Sequence, residues 1–177
     1  MIILGIDPGL ATIGYGVIQK NKKLLIKAGL VKTERRKKQN PLKCLNYGLV
    51  RCGVITTLPS SKTADRLNKI YNEVKKIVEA CKPDILAIES LFFFKNLKTA
   101  LPVSQAKGVI LLVAAKKKMP VYEFTPPQVK MIITGYGKAE KIEIQKRVKS
   151  ILRLKESPKI DDTNDALAVA ICGALKI

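Results

Sequence analysis

The chemistry open to this chain rests on carboxylates. Asp7 closes the apolar run Ile2-Ile3-Leu4-Gly5-Ile6 and is followed at once by Pro8-Gly9, so it reads as an acid delivered to the tip of a strand buried on both faces. Glu89 closes a second such run, Ile85-Leu86-Ala87-Ile88. Asp162 and Asp165 stand three apart before Ala166-Leu167-Ala168-Val169-Ala170-Ile171, a spacing that puts both on one face of a helix's first turn. Each acid has an ordinary reading by itself, as a turn residue, a solvated strand end or the cap of a helix whose dipole favours negative charge. One site, in which two strand ends meet a helix start, accounts for all four together in a chain with only 14 Asp and Glu. There is no histidine, which excludes triads built on imidazole. Four carboxylates without imidazole or paired thiolates are hard oxygen ligands suited to Mg2+ or Mn2+. Two such ions ~3.5–4 Å apart activate water on one side of a phosphorus and neutralise the leaving oxygen on the other. In that arrangement Asp7 bridges the ions, with Glu89, Asp162 and Asp165 completing their shells.

The natural substrate follows from charge. Lys and Arg number 33 against the 14 acids, a formal charge of +19, and the sequence pI is ≈ 9.9. Such a balance points to a polyanion, with nucleic acid ahead of an anionic membrane surface or plain solubility. Cysteines at 44, 52, 81 and 172 lack metal or redox spacing and read as reduced thiols. The chain opens directly on a strand, and its longest apolar run, Val109 to Ala115, is far short of the ~20 residues a membrane span needs. A cytoplasmic protein is expected. At 177 residues one domain with a full core is the simplest organisation.

The elements that must carry the acids are legible in outline. Ala11 to Gln19 reads as a strand in an antiparallel hairpin with the first. Lys32 to Lys43 is a basic polar run read as a loop or solvated hairpin tip. Gly29-Leu30-Val31-Lys32 resembles Gly48-Leu49-Val50-Arg51; the later copy, continuing through Thr57, is taken as the third strand. Apolar residues at 67, 70, 71, 74, 77 and 78 predict a helix over Thr63 to Cys81. The helix separates the two acid-tipped strands, which should therefore be parallel neighbours with their carboxyl ends at one edge. A helix rich in small residues is expected from Asn96 to Lys118, its ordered part beginning near Leu101 because Pro102 belongs in a first turn. A short strand at Val121 to Phe124, a helix from Pro127 to Ile133, a helix from Ala139 to Leu154 and a final helix opening at Asp161-Asp162 complete the pattern.

The residues form an ordered series: Gly5-Ile6-Asp7-Pro8-Gly9 with Gly14-Tyr15-Gly16, Arg66-Leu67 with Ile70-Tyr71, Ala87-Ile88-Glu89, Lys95-Asn96, Gln105-Ala106-Lys107-Gly108, Gln128-Val129-Lys130, Gly137 with Ala139-Glu140-Lys141, and Asp162-Thr163-Asn164-Asp165-Ala166-Leu167-Ala168. This series resembles the RuvC family of Holliday-junction resolvases. It covers nearly the whole chain and leaves out Lys27 to Asn46, which reads as a basic insertion. The resemblance implies an α/β protein of RNase H-like fold, a mixed five-stranded sheet flanked by helices. It further implies a Mg2+-dependent homodimer cutting opposed strands of a four-way junction, and the RuvA-RuvB branch-migration complex as a partner. By motif position Asp7, Glu89, Asp162 and Asp165 are the metal-binding, catalytic acids, with Asp161 an adjacent rival to Asp162. Phe92, with Phe93 and Phe94 beside it, matches an aromatic that stacks near the crossover. Lys95, Lys107, Lys130 and Lys141 fall at positions near the DNA, and the helix carrying Ala106 and Gly108 resembles the dimer helix. Two other readings remain open from the residues alone: a related nuclease acting on RNA, and a non-catalytic basic junction-binding protein.

Overall fold

The computed structural model describes residues 1–20, 47–90 and 97–176, the side chains of 97–99 excepted. The basic segment Lys27 to Asn46 and residues Phe92, Phe93, Phe94 and Lys95 lie outside the described residues. Five strands, β1 (Ile2–Asp7), β2 (Thr12–Lys20), β3 (Tyr47–Thr56), β4 (Ile85–Glu89) and β5 (Val121–Phe124), form one sheet in the order β3-β2-β1-β4-β5. The β1–β2 and β2–β3 pairs are antiparallel, and β1–β4 and β4–β5 are parallel. The sheet is therefore the mixed one expected, with the later copy, Gly48 to Arg51, inside β3.

Among the described residues five helices cover it: α1 (Thr63–Cys81), α2 (Leu97–Lys116), α3 (Pro126–Thr134), α4 (Lys141–Leu152) and α5 (Asp161–Lys176). The period of two along β1 divides the core. Leu4 and Ile6, with Leu86 and Ile88 of β4, pack against α1 and α2. Ile3, with Ile85 and Ala87, packs against α3, α4 and α5 on the other face. Among the described residues no helix is long and apolar enough to cross a membrane.

One expectation fails. Helix α2 begins at Leu97, so Pro102 is its sixth residue and lies inside it. The first four N–H groups of any helix lack a partner, and Pro102 removes only the bond that would reach Lys98, next to that open end. The cost is one terminal hydrogen bond, which α2 offsets by burying Ala106, Ile110, Val113 and Ala114.

Helix α5 lies unusually close to the sheet because the strands beneath it carry glycine. A Cβ on Gly5 would overlap the Ala166 carbonyl oxygen, one on Gly14 would overlap the Asp162 carbonyl oxygen, and one on Gly16 would meet Leu167. Gly5, Gly14 and Gly16 thus present flat backbone to the first two turns of α5. The obstacle at Gly14 is backbone and cannot swing aside. Gly14→Ala is expected to lower the unfolding free energy by about 1–3 kcal/mol, the usual range for overpacking, measurable by denaturant titration.

Candidate active site

The same alternation that builds the core aims the acids. Asp7 shares the α5 face with Ile3 and Gly5, and Glu89 shares it with Ile85 and Ala87. Ile6 pairs with Ile88 in the parallel β1–β4 ladder, so Asp7 and Glu89 leave adjacent strands at the same edge. Asp162 and Asp165 lie in the first turns of α5, whose backbone rests on Gly14 and Gly5. The helix start is pinned by Asn164, which is buried and donates its amide to Pro158 O at 2.8 Å and Ile160 O at 3.3 Å. On the other side of the edge, the turn after Asp7 is held by Thr57. Its hydroxyl donates to Leu10 O at 2.6 Å and accepts from Arg66 Nε at 2.8 Å.

Asp7, Glu89 and Asp165 are each raised by burial and by neighbouring carboxylates. Asp7 is pushed up to about 8, first by burial and then by the charges of Glu89, Asp165 and Asp162, with Lys141 acting against them. Glu89 is pushed up to about 7 by burial and by Asp165, again opposed by Lys141. Asp165 is raised by burial despite its ion pair with Lys141. Lys141 Nζ stands 3.1 Å from Asp165 Oδ2 and 3.4 Å from Asp161 Oδ2; those acids outweigh its desolvation and hold it above its ordinary value. Acids raised in this way resist ionising because the protein leaves their negative charge under-compensated, which is the environment a hard cation relieves. As the side chains stand, no three of them among the described residues are close enough together to hold a metal ion. Asp165 is instead turned to Lys141.

The rivals Asp161 and Asp162 separate. Asp161 points toward α4, paired with Lys141 and accepting from Gln145 Nε2 at 3.0 Å, and its side chain is 61% exposed. Asp162 is the one whose charge acts on Asp7.

The sequence pattern of the family described as crossover junction endodeoxyribonuclease RuvC matches residues 3–52 and 42–173. A crossover junction endodeoxyribonuclease RuvC from Ruminiclostridium cellulolyticum is 45% identical over 172 residues, spanning 97% of this chain and 90% of that protein. The chain belongs to the RuvC family. A solved structure of Thermus thermophilus RuvC superposes with a TM-score of 0.80 at 31% identity, covering 98% of this chain and 93% of that one. The same protein in complex with Holliday junction substrate gives a TM-score of 0.79 at 29% identity, with the same coverage. The RNase H-like architecture expected from the sequence is thereby shown, and the RNA-directed and non-catalytic readings are not favoured.

The other residues singled out by the RuvC resemblance are placed unevenly. Lys130 and Lys141 line a cleft of ≈ 230 Å³ together with Glu89 and Asp165, over an apolar floor that includes Val129 and Ile144. Lys107 lies elsewhere, ion-paired to Glu123 Oε2 at 2.5 Å with its side chain only 13% exposed. Phe92 and Lys95 fall outside the described residues. Ala106 is buried inside this chain, whereas Gly108 is exposed. Sequence spacing did not reveal that Lys141 stands among the carboxylates. It is the first residue of α4, just after the turn where Glu143 Oε2 accepts from Glu140 N at 3.0 Å.

Burial of these acids sets a pH dependence. With its pKa raised from 3.8 to about 8, folded Asp7 keeps its proton over a range in which the unfolded chain has lost it. Its contribution to stability is therefore fully present below the unfolded value and falls as pH rises toward 8. In chelator, Asp7→Asn should melt higher than the native chain at pH 8 by roughly 3–6 °C, on the scale for a chain of this size. At pH 4 the two should melt alike. Calorimetry at both pH values checks this; an equal offset at both would remove the electrostatic explanation.

Proposed function

We propose that the chain resolves four-way DNA junctions as a homodimer, by metal-dependent phosphodiester hydrolysis at Asp7, Glu89, Asp162 and Asp165. The observation that carries this reading is the meeting of two parallel strand tips and a helix start, all acid-bearing, in a chain of charge +19. The donor set is all carboxylate oxygen, the chemistry Mg2+ or Mn2+ accepts. When bound, divalent cations supply an activated water and neutralise the leaving oxygen. Asp7, central in the sheet, anchors the set. Glu89 and Asp165 flank it from β4 and α5, and Asp162 approaches it over Gly14. Lys141 keeps its ammonium charged beside the acids, and Lys130 lines the same cleft, so both are placed for the oxygens of the strand being cut.

The homodimer is supported by α2. One side of this helix is buried against the sheet and α1, but Leu101 is 67% exposed and Leu112 49% exposed, and Gln105, Gly108 and Ala115 are exposed with them. These positions recur at the seven-residue spacing of a helix-packing seam, with small residues at two of them for close approach. A second copy of the chain is the occupant that also brings a second site to the opposed strand.

A synthetic mobile junction, incubated with and without Mg2+ and mapped on all four strands, tests the whole reading. Paired cuts on two opposed strands are expected with metal only. Asp7→Asn should cut more slowly by on the order of 10³-fold or more, the kinetic equivalent of several kcal/mol, while binding the junction in chelator as tightly as the native chain. Cutting at the native rate by this variant in Mg2+ would dismiss the site. Leu112→Glu should sediment as a monomer and lose the pairing of the two cuts; an unchanged dimer would exclude this face of α2.

A further inference from the structure

Glu89 is the last residue of β4, paired with Phe124 of β5 but beyond the last β1–β4 pair, Ile6 with Ile88. The two residues beside it are secured from the opposite side of the sheet. Ile88 is fully buried against α1 and α2. Ser90, two residues on from Ile88 and so aimed to the same side, donates its hydroxyl to Glu123 Oε2 at 3.1 Å, and its N–H donates to Phe124 O at 2.8 Å. Glu123 pairs with Ile88 in the β4–β5 ladder. Its carboxylate is held in turn by Lys107 of α2. One acid therefore joins β5, the exit of β4 and α2, directly behind Glu89.

We infer that Glu123 is a positioning residue for cleavage: by holding Ser90 and Lys107 on the α2 side of the sheet, it fixes the backbone on both sides of Glu89 and so sets where that carboxylate stands relative to Asp7. The inference rests on the role proposed above for Glu89. It also changes the expectation for Lys107, whose ammonium is engaged by Glu123 and largely covered rather than offered to a phosphate. The Glu123 end of this ion pair is 46% exposed, although Lys107 is only 13% exposed. A pair open to solvent at one end contributes modestly to stability, whereas a displacement of about 1 Å at a reacting group can slow catalysis about 10²-fold. The clamp should therefore be felt in the rate and hardly in the melting temperature.

The test uses the full chain, a synthetic junction and Mg2+, with single-turnover rates at saturating enzyme and junction affinity measured in chelator over a range of salt. Glu123→Ala and Ser90→Ala should each slow cutting by about 10- to 100-fold, with affinity and melting temperature near the native values. Ser90→Thr, which restores the hydroxyl, should recover most of the rate. The double variant Ser90→Ala/Glu123→Ala should be no slower than the slower single, as expected of two partners in one contact. Lys107→Ala should follow Glu123→Ala in rate and leave the salt dependence of binding unchanged. Native rates for Glu123→Ala and Ser90→Ala would overturn the inference. So would a Lys107→Ala chain whose salt slope falls by about one, the mark of a lost phosphate contact. Glu89→Gln, run alongside, separates the two levels: if it cuts normally, the proposed site itself fails; if it is inactive while Glu123→Ala and Ser90→Ala cut normally, only the positioning role fails.

Discussion

The arrangement depends on how closely α5 lies on the β1–β2 hairpin. Glycine at 5, 14 and 16 removes the side chains that would hold the helix away. The carbonyl groups of Asp162 and Ala166 can then rest against strand backbone, which brings Asp162 and Asp165 over the tip that carries Asp7. Such close packing partly buries the acids and reduces their contact with water, although all four keep some exposure. The positions of the four carboxylates and the raised pKa values of Asp7, Glu89 and Asp165 are two results of one contact.

That contact is unfavourable in isolation. Buried acids that cannot all ionise destabilise a folded chain at neutral pH unless something positive compensates them. Lys141 does so in part, from the start of α4, and it is drawn to Asp165 and Asp161 rather than to Asp7. The charge that Lys141 leaves uncompensated is what the proposed cations would offset, so the electrostatic cost and the proposed chemistry have the same origin. The surrounding bonds are correspondingly firm. Thr57 and Arg66 hold the turn after Asp7, Asn164 holds the start of α5, and Glu123 with Lys107 holds the exit of β4. These ties come from different elements, and each acts on the backbone next to an acid rather than on the acid itself.

Much of the site was legible because strand periodicity carries direction as well as structure. Ile3, Gly5 and Asp7 must share a face, as must Ile85, Ala87 and Glu89, and a helix between two strands makes them parallel neighbours. Helix α1 occupies the span its apolar spacing defines, and β3 took the second of two similar segments. Pro102 was misread because the rule against proline inside helices is strongest where every hydrogen bond is needed, and the sixth residue is still near the open end.

The sequence by itself determined the acids, the strand tips that carry two of them and the helix start that carries the others, because those features are local and periodic. It also determined the family, because the motifs are ordered along nearly the whole chain, Lys27 to Asn46 excepted. Only the tertiary structure decided that Asp161 is engaged by Lys141 and Gln145 whereas the charge of Asp162 acts on Asp7, that Lys141 stands among the carboxylates, and that Lys107 is joined to Glu123. These are contacts between residues far apart in the chain, and no spacing rule encodes them. They follow from how near α5, α4 and α2 come to the sheet, which the side-chain volumes between them decide.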